Sequence, residues 1–401
     1  MKILVLNAGS SSLKYQLFDM ESKNVLAKGV CERIGAGGEI THKRPNAENY
    51  SKTLDLPDHT SALSKVLELL TSKEYGVLSS IDEIEAVGHR VAHGGDIRES
   101  SVITESIVKY LETIIPINPL HGPPAIAGIK ACLSLMKDVP QIAVFDTSFY
   151  SDIVPSRYTY AIPYEFCEKD NVRRYGFHGT SHRFVSAECA KILGKDLSEL
   201  KMITCHLGNG SSITAIDHGK VLDTSMGFTP QEGVVMGTRS GSIDPTVVTY
   251  LMKTKGYTAD EMDNILNKKS GLLGVSGVSN DCRTVQLAAA EGNERAALAI
   301  EILVNSIKKI IGSYIAEMNG VDVLVFTAGI GENNFAIREA VCDSMSYLGI
   351  EIDNYKNANF ERGVPLNLTK EGARVQTWVI PTDEEYMIAI DTQRLSKKTN
   401  I

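Results

Sequence analysis

The sequence predicts an α/β protein built from two similar halves that face each other across a cleft. Apolar runs typical of strands alternate with helical patterns, which indicates the α/β class. A strand–turn–strand pattern occurs twice, half a chain apart, which indicates a duplication. The 401 residues also exceed what one hydrophobic core usually holds, so at least two domains are expected.

Four apolar runs predict the buried strands. They are rich in Val, Ile and Leu, and they lie at residues 3–6, 142–145, 323–326 and 375–380. A short connection separates residues 4–6 from residues 15–18, which predicts an antiparallel hairpin at the start of the chain.

Three helices are predicted from apolar residues that recur at helical spacing. Asp58 is expected to cap the first helix, and Pro123 and Pro124 are expected to open the second. The expected buried faces are Leu63, Val66, Leu67 and Leu70 in the first helix, Ile126, Ile129, Leu133 and Met136 in the second, and Ile300, Val304, Ile307, Ile311 and Tyr314 in the third.

The repeated pattern joins ILVLNAGSSSLKYQLFD, from residue 3, to ITCHLGNGSSITAIDHG, from residue 203. Both segments have an apolar strand, a Gly-Ser-Ser turn, a second strand and then an Asp. Coincidence is the alternative, since this turn string is common in loops. The matching strand context on both sides of the turn favours duplication.

Composition excludes several functions. Lys and Arg number 41 against 49 Asp and Glu, a net charge of −8, so a nucleic-acid partner is not expected. No stretch approaches the roughly 20 apolar residues of a membrane helix, and the N-terminus lacks a signal-peptide core, so we expect a soluble, cytoplasmic protein without membrane partners. Seven scattered cysteines without a C-x-x-C pair are expected to be buried thiols.

The Gly-Ser turns are candidate phosphate sites. Glycines let backbone N–H groups approach an anion closely, and serine hydroxyls add donors. Neither turn matches the P-loop, and the segment 329–334, GIGENN, lacks the third glycine of a dinucleotide motif. That segment follows a strong strand, where open α/β sheets bind ligands, so contact with a nucleotide base or ribose is expected there.

Polar residues stand at five predicted strand ends: Arg90, Asp146, His178, Arg239 and Glu384. The alternative for each is ordinary, namely a helix cap, a buried histidine or a solvated arginine. Flanking glycines favour a functional site. Two histidine pairs spaced by four, 89/93 and 178/182, could mimic zinc ligands, but the H-E-x-x-H glutamate is absent and zinc is not expected.

Nine strings in a fixed order closely resemble the acetokinase family and span residues 7–385. They are NAGSSSLK (7–14), HRVAHGG (89–95), NPLHGPP (118–124), VFDTS (144–148), FHGTSH (177–182), HLGNGSS (206–212), MGTRSG (236–241), FTAGIGEN (326–333) and PTDEE (381–385). The resemblance implies the fold of the acetate and sugar kinase, Hsc70 and actin superfamily: two duplicated RNase-H-like domains around a central nucleotide cleft. It implies residues 1–149 plus 386–401 as the N-terminal domain. Residues 150–385 would form a C-terminal domain with the nucleotide site and a homodimer interface.

The resemblance also implies the reversible reaction of ATP and acetate to ADP and acetyl phosphate, with Mg²⁺ or alternatively Mn²⁺. The implied catalytic residues are Asp146, His178, Arg239, Arg90 and His121, with Arg90 as the ligand of the substrate carboxylate. The implied acyl pocket is Val91, Leu120, Phe177 and Pro230, and the implied metal-associated residues are Asn7 and Glu384. The implied nucleotide and phosphate contacts are Ser10, Ser12, Lys14, His206, Leu207, Gly208, Asn209, Gly210, Asp281, Cys282, Arg283, Gly329, Ile330, Gly331, Glu332 and Asn333.

Two positions depart from many relatives: Tyr150, where His is frequent, and Gln231, where an aliphatic residue is frequent. Gln231 follows Pro230 and therefore bears on acyl-chain preference. A propionate or butyrate kinase with the same machinery is the nearest alternative. An ATP-gated binding module of the Hsp70 or actin type is the alternative from another class, but it would not need Arg90 beside an apolar pocket.

The chemistry of acetate constrains Asp146. A carboxyl group with a pKa near roughly 4 is already ionised at neutral pH, so acetate needs no general base. Asp146 is therefore expected to orient the metal ion or its bound water rather than to remove a substrate proton.

Overall fold

A computed structural model describes residues 1–399. The chain forms two compact units, each described here by itself. Unit 1 contains Met1–Ser151 and the described residues from Asp383 onward, and unit 2 contains Asp152–Thr382. These divisions lie two or three residues from the predicted domain boundaries, so Glu384 belongs to unit 1.

Unit 1 is built on a mixed sheet. Among the described residues its strands are β1 (Lys2–Gly9), β2 (Ser12–Asp19), β3 (Asn24–Glu32), β4 (Glu39–Lys43), β5 (Tyr50–Thr53), β6 (Ala86–Val91), β7 (Ser101–Val102) and β8 (Gln141–Phe145). They lie in the order β5-β4-β3-β2-β1-β6-β8-β7. β1 to β5 form antiparallel neighbours, whereas β1, β6 and β8 run parallel to one another.

Helices cover both faces of this sheet because its strands are apolar on both sides. The helices of unit 1 are α1 (His59–Thr71), α2 (Glu105–Thr113), α3 (Gly122–Leu135) and α15 (Glu384–Thr399). One core joins Leu4 and Leu6 of β1 to Leu63 and Val66 of α1. The opposite core joins the alternate β1 side chains to Ile388 of α15.

Unit 2 repeats part of this plan. Its described strands are β9 (Lys201–Leu207), β10 (Ser211–Asp217), β11 (Lys220–Thr224), β12 (Val323–Thr327), β13 (Leu366–Asn367) and β14 (Gln376–Val379). They lie in the order β11-β10-β9-β12-β14-β13. β9, β10 and β11 form an antiparallel meander, and β9, β12 and β14 run parallel, as β1, β6 and β8 do in unit 1. The predicted duplication is confirmed.

The helices of unit 2 are α4 (Pro155–Tyr158), α5 (Glu165–Asp170), α6 (Gly179–Leu193), α7 (Pro245–Lys255), α8 (Ala259–Lys268), α9 (Gly271–Ser276), α10 (Cys282–Ala290), α11 (Glu294–Glu317), α12 (Ala328–Asn333), α13 (Phe335–Cys342) and α14 (Asn354–Ala358). α11 contributes Leu303, Ile307 and Ile311 to the main core against Ile203 and Ile213 of the sheet. α6 packs against β9 and β12.

The predicted strands, hairpin and three helices are confirmed, and Asp58 caps α1 by accepting a hydrogen bond from the backbone of Ser61. One expectation is wrong: Cys167 is only half-buried, because α5 is a short helix without buried residues. The residues GIGEN, 329–333, lie in the short helix α12 directly after β12. Within residues 1–399 no helix is long and apolar enough to cross a membrane.

Candidate active site

Arg90 and Asp146 form the centre of the site in unit 1. Arg90 lies in β6 near its carboxyl end, and Asp146 directly follows the neighbouring parallel strand β8, so both side chains reach the same edge of the sheet. The guanidinium donates from Nη2 to Asp146 Oδ2 at 2.8 Å and from Nε to Oδ1 at 3.3 Å. Asp146 is buried, and Arg90 is about a quarter exposed. This two-point geometry fixes the plane of the guanidinium.

Acidic residues at the start of α15 surround the same guanidinium. Glu384 Oε2 lies 3.5 Å from Arg90 Nη2. Burial by itself lowers the pKa of Arg90, but the carboxylates of Asp146 and Glu384 outweigh it and raise this pKa overall. Burial raises the pKa of Asp383 and of Glu385. Unit 1 thus presents a charged arginine among carboxylates at one sheet edge.

The first hairpin carries four of the residues predicted to contact phosphate or metal in unit 1, whereas Glu384 lies at the start of α15. Asn7 and Lys14 are paired across β1 and β2, and both line a cavity of about 310 Å³ together with Glu385. Ser12 starts β2, and Ser10 is exposed in the turn between the strands. Asn7 and Glu384 offer the amide and carboxylate oxygens that Mg²⁺ prefers. Within residues 1–399 no cluster of three or more His, Cys, Asp or Glu side chains is arranged to hold a metal ion.

The remaining predicted residues of unit 1 flank α3. Val91 is buried, Leu120 is half exposed, and His121 occupies the position before the first residue of α3. The other two residues of the predicted acyl pocket lie in unit 2, where Phe177 is buried and Pro230 is half-buried. That these four residues form one pocket stays a prediction.

His178 in unit 2 stands immediately before α6 in a left-handed backbone conformation, with φ of 58°. Its ring stacks on that of His206, with 4.1 Å between ring centres. A Cβ atom added to Gly210 would lie 3.5 Å from both His178 Nε2 and Arg239 Nη1. The structure therefore brings the predicted residues His178 and Arg239 together beside the Gly-Ser turn after β9.

Arg239 is held by the loop that carries the predicted acyl-pocket proline. Its Nη1 donates to the carbonyl of Pro230 at 3.1 Å, and burial lowers the pKa of Arg239. Gln231 donates to Ser240 Oγ at 2.5 Å and to the carbonyl of Gly241 at 3.0 Å. Gln231 thus ties the loop before Arg239 to the turn after it.

A second cavity, of about 900 Å³, is lined by eight of the thirteen nucleotide and phosphate contacts predicted in unit 2. The predicted residues that line it are Gly208, Asn209, Asp281, Cys282, Arg283, Gly329, Ile330 and Asn333. His206, Leu207, Gly210, Gly331 and Glu332 do not line it. Leu207 lies in the apolar core, and the Glu332 carboxylate accepts hydrogen bonds from the backbone N–H groups of Ala328 and Thr382.

Sequence reasoning missed Arg338, which is fully buried in α13. Its guanidinium donates to the carbonyls of Gly331 and Glu332 in α12 and to Asn357 in α14, and it lies over the ring of Phe360. α12 and Phe360 both line the larger cavity. Arg338 therefore joins two of its walls. A charged residue among the apolar positions of α13 was the signal in the sequence.

Comparisons with known proteins cover nearly the whole chain. The model of the acetokinase family matches residues 2–390. The acetate kinase of Moorella thermoacetica is 54% identical over 98% of this chain and 99% of its own length. Acetate kinase 2 of Clostridium perfringens is 51% identical over 99% of this chain and its whole length.

Solved structures agree with these sequence matches. The crystal structure of Porphyromonas gingivalis acetate kinase superposes with a TM-score of 0.94 at 47% identity, over 98% of this chain and 99% of that one. A propionate kinase from Francisella tularensis superposes with a TM-score of 0.91 at 40% identity and with the same coverage.

Proposed function

The chain belongs to the acetokinase family and is a kinase that acts on acetate, and from this premise we propose a reversible transfer of the γ-phosphoryl group of ATP to acetate. The products are ADP and acetyl phosphate. One observation carries the assignment of the acceptor side: Arg90, a guanidinium held in a fixed plane at the carboxyl end of β6. Relatives about 50% identical are named acetate kinase, whereas the propionate kinase structure is 40% identical. We therefore assign acetate, rather than propionate or butyrate, as the acceptor.

Arg90 is assigned to the acetate carboxylate. A guanidinium carries five N–H donors in a planar fork, and Asp146 engages two of them. The others suit a second carboxylate, to which arginine binds more specifically than lysine would. Asp146, through its two hydrogen bonds, fixes the orientation of the Arg90 guanidinium plane.

Asp146 is assigned an orienting role. Acetate arrives ionised, so the step requires no proton removal from the acceptor. Mg²⁺, when bound near Asn7 and Glu384, would neutralise charge on the transferred phosphoryl group. Asp146 would hold a metal-bound water in position.

Unit 2 is assigned to the nucleotide. Its 900 Å³ cavity is within the size range of small-molecule sites and is lined by eight predicted contacts. Phosphoryl transfer passes through a loose transition state whose charge spreads over three equatorial oxygens. The adjacent donors His178 and Arg239 suit that charge.

Trapping of the acyl phosphate by hydroxylamine tests this function. Incubation with ATP, Mg²⁺ and acetate should give acetohydroxamate, and omission of acetate should abolish the signal. ATP hydrolysis without hydroxamate would instead indicate the binding-module alternative. Parallel reactions with propionate and butyrate would rank the acceptors.

Homodimerisation and a cytoplasmic location complete the proposal. Helix α7 has no buried residue, and Val247 and Tyr250 on it are exposed together with the nearby Ile243. A second copy of the chain would cover this apolar surface. Light scattering of the wild type and of Tyr250→Glu measures the molar mass in solution. We expect the wild type to be a dimer and Tyr250→Glu to dissociate more readily. A monomeric wild type would contradict the assignment. ATP and acetate are both available in the cytoplasm.

A further inference from the structure

Four polar side chains of unit 2 form a continuous chain of hydrogen bonds that connects Thr204 to His178. Thr204 Oγ1 lies 2.7 Å from Nδ1 of His182, and Nε2 of His182 lies 2.7 Å from Ser212 Oγ. Ser212 Oγ in turn lies 2.9 Å from Nδ1 of His178. Thr204, His182 and Ser212 are completely buried. We call these four side chains the histidine relay.

The sheet register creates this relay. Thr204 in β9 and Ser212 in β10 face α6, whereas the alternate residues Ile203, Cys205 and Ile213 belong to the apolar core under α11. His182 lies in the first turn of α6, and His178 directly precedes that helix. Apolar side chains would fill this interface at lower desolvation cost, so a fully hydrogen-bonded polar row indicates a role beyond packing.

The direction of the relay depends on where Ser212 sends its proton. Burial lowers the pKa of His182 well below its ordinary value, and the nearby His206 lowers it further, so His182 is neutral with one donor and one acceptor nitrogen. Ser212 has a single proton to donate and two lone pairs that can accept. It donates to His178, or it donates to His182, or both rings donate to it. Only the first arrangement leaves Nδ1 of His178 unprotonated, and it requires His182 to donate to Ser212 and Thr204 to donate to His182.

We infer that the relay donates toward His178, which makes Thr204, His182 and Ser212 positioning residues that hold the His178 proton on Nε2. The Thr204 hydroxyl donates to His182 Nδ1, His182 Nε2–H donates to Ser212, and the Ser212 hydroxyl donates to His178 Nδ1. The choice of direction rests on the proposed function. Nε2 of His178 lies on the side of Arg239, and a phosphoryl oxygen there requires a donor. In either other arrangement the neutral His178 ring would carry its proton on Nδ1 and would present a lone pair to an anion.

The tautomer is measured directly by ¹⁵N NMR of protein labelled at its histidine side chains, with His178→Gln to assign the signals. We expect an unprotonated Nδ1 and a protonated Nε2 on His178. A protonated Nδ1 in the neutral ring overturns the inference. This readout needs no activity, so it stays separate from the hydroxamate assay: failure of that assay would refute the proposed function and leave the tautomer result standing.

Kinetics of variants at Thr204 test the relay at its far end, because Thr204 reaches His178 through His182 and Ser212. Thr204→Val keeps the shape of the side chain and removes the hydroxyl, whereas Thr204→Ser keeps the hydroxyl. We expect Thr204→Val to lower kcat by roughly 10-fold with KM for ATP and acetate nearly unchanged, and Thr204→Ser to recover most of the loss. Equal kcat in both variants, or a loss confined to KM, would overturn the inference.

Ser186→Ala is the matched control. Ser186 is buried in the same helix α6, and its hydroxyl donates locally to the carbonyl of Arg183. The Ser186→Ala substitution should leave kcat and the His178 tautomer unchanged. If Ser186→Ala lowered kcat as much as Thr204→Val, general loosening of α6 would explain both results and the relay would be refuted.

Discussion

Truncation of Arg90 to alanine is expected to impair acetate binding and folding by two separate routes. The same guanidinium is assigned to the substrate carboxylate and also pairs with the buried Asp146 at 2.8 Å. Removal of Arg90 would therefore delete a substrate contact and leave a buried carboxylate without its cation. The two effects have to be separated before the kinetics can be interpreted.

The expected magnitudes are large for both routes. Loss of one preorganised charge contact to the substrate costs on the order of 3 kcal/mol, or on the order of 100-fold in kcat/KM for acetate. Loss of one partner from a buried ion pair costs roughly 3–5 kcal/mol of folding stability. Neighbouring Glu384, 3.5 Å from Arg90, would add like-charge repulsion once the cation is gone.

A double variant separates the routes. Arg90→Ala with Asp146→Asn replaces the stranded carboxylate by a neutral amide of the same shape. Urea denaturation should show that the double variant recovers most of the stability lost in Arg90→Ala. Acetate KM, or acetate binding by calorimetry if turnover is too low, should stay as weak as in the single variant.

Recovery of acetate binding in the double variant would refute the reasoning, because Arg90 would then act only through Asp146. An unchanged acetate KM in Arg90→Ala would refute the carboxylate assignment itself. Asp146→Asn alone is the control for the amide. We expect it to raise the Mg²⁺ requirement and to leave acetate binding largely intact.

Three further substitutions test other parts of the two units. Burial lowers the pKa of His89 from 6.5 to about 4, so below pH 6.5 the unfolded chain binds a proton at this ring that the folded chain does not. His89 alone should therefore contribute about 2 kcal/mol to the fall in stability from pH 7 to pH 5. Urea titrations of His89→Gln should show a shallower fall than the wild type, and an equal fall would contradict this contribution. Gln231→Leu should lower kcat by roughly 3- to 10-fold and leave the KM for acetate unchanged, because Gln231 contacts the turn beside Arg239. A change in the ratio of kcat/KM for propionate to kcat/KM for acetate would instead show that Gln231 contacts the acyl chain. Arg338→Met should raise the KM for ATP by roughly 10-fold and leave the KM for acetate unchanged, because the hydrogen bonds that link α12 to α14 through Arg338 are lost. Equal rises in the KM for ATP and the KM for acetate would indicate general unfolding.

Local patterns in the sequence were enough to predict the elements with strong periodicity. The strand at residues 3–6, the helix capped by Asp58 and the long helix α11 follow from apolar spacing and capping chemistry. The duplication followed from one repeated hairpin. The strand order, shared by β3-β2-β1-β6-β8 and β11-β10-β9-β12-β14, then confirmed it.

The pairings within the site depend on register and could not be predicted. Arg90 and Asp146 are 56 residues apart, and they meet because β6 and β8 are parallel neighbours. The histidine relay likewise requires β9, β10 and α6 to pack in one alignment. The short helix α12 is stabilised by side chains rather than by local propensity: the Glu332 carboxylate accepts from the N–H of Ala328, and Arg338 of α13 donates to the carbonyl of Gly331.

The last helix of the chain completes the first unit, and this has a consequence for biosynthesis. Ile388 and Ala389 of α15 pack directly on Ile3 and Val5 of β1. On a ribosome that adds 5–20 residues per second, the roughly 230 residues of unit 2 would delay α15 by roughly 10–50 s after β8 is made. The later-made unit can reach its native state first, while the nascent N-terminal sheet keeps one apolar face open to chaperones.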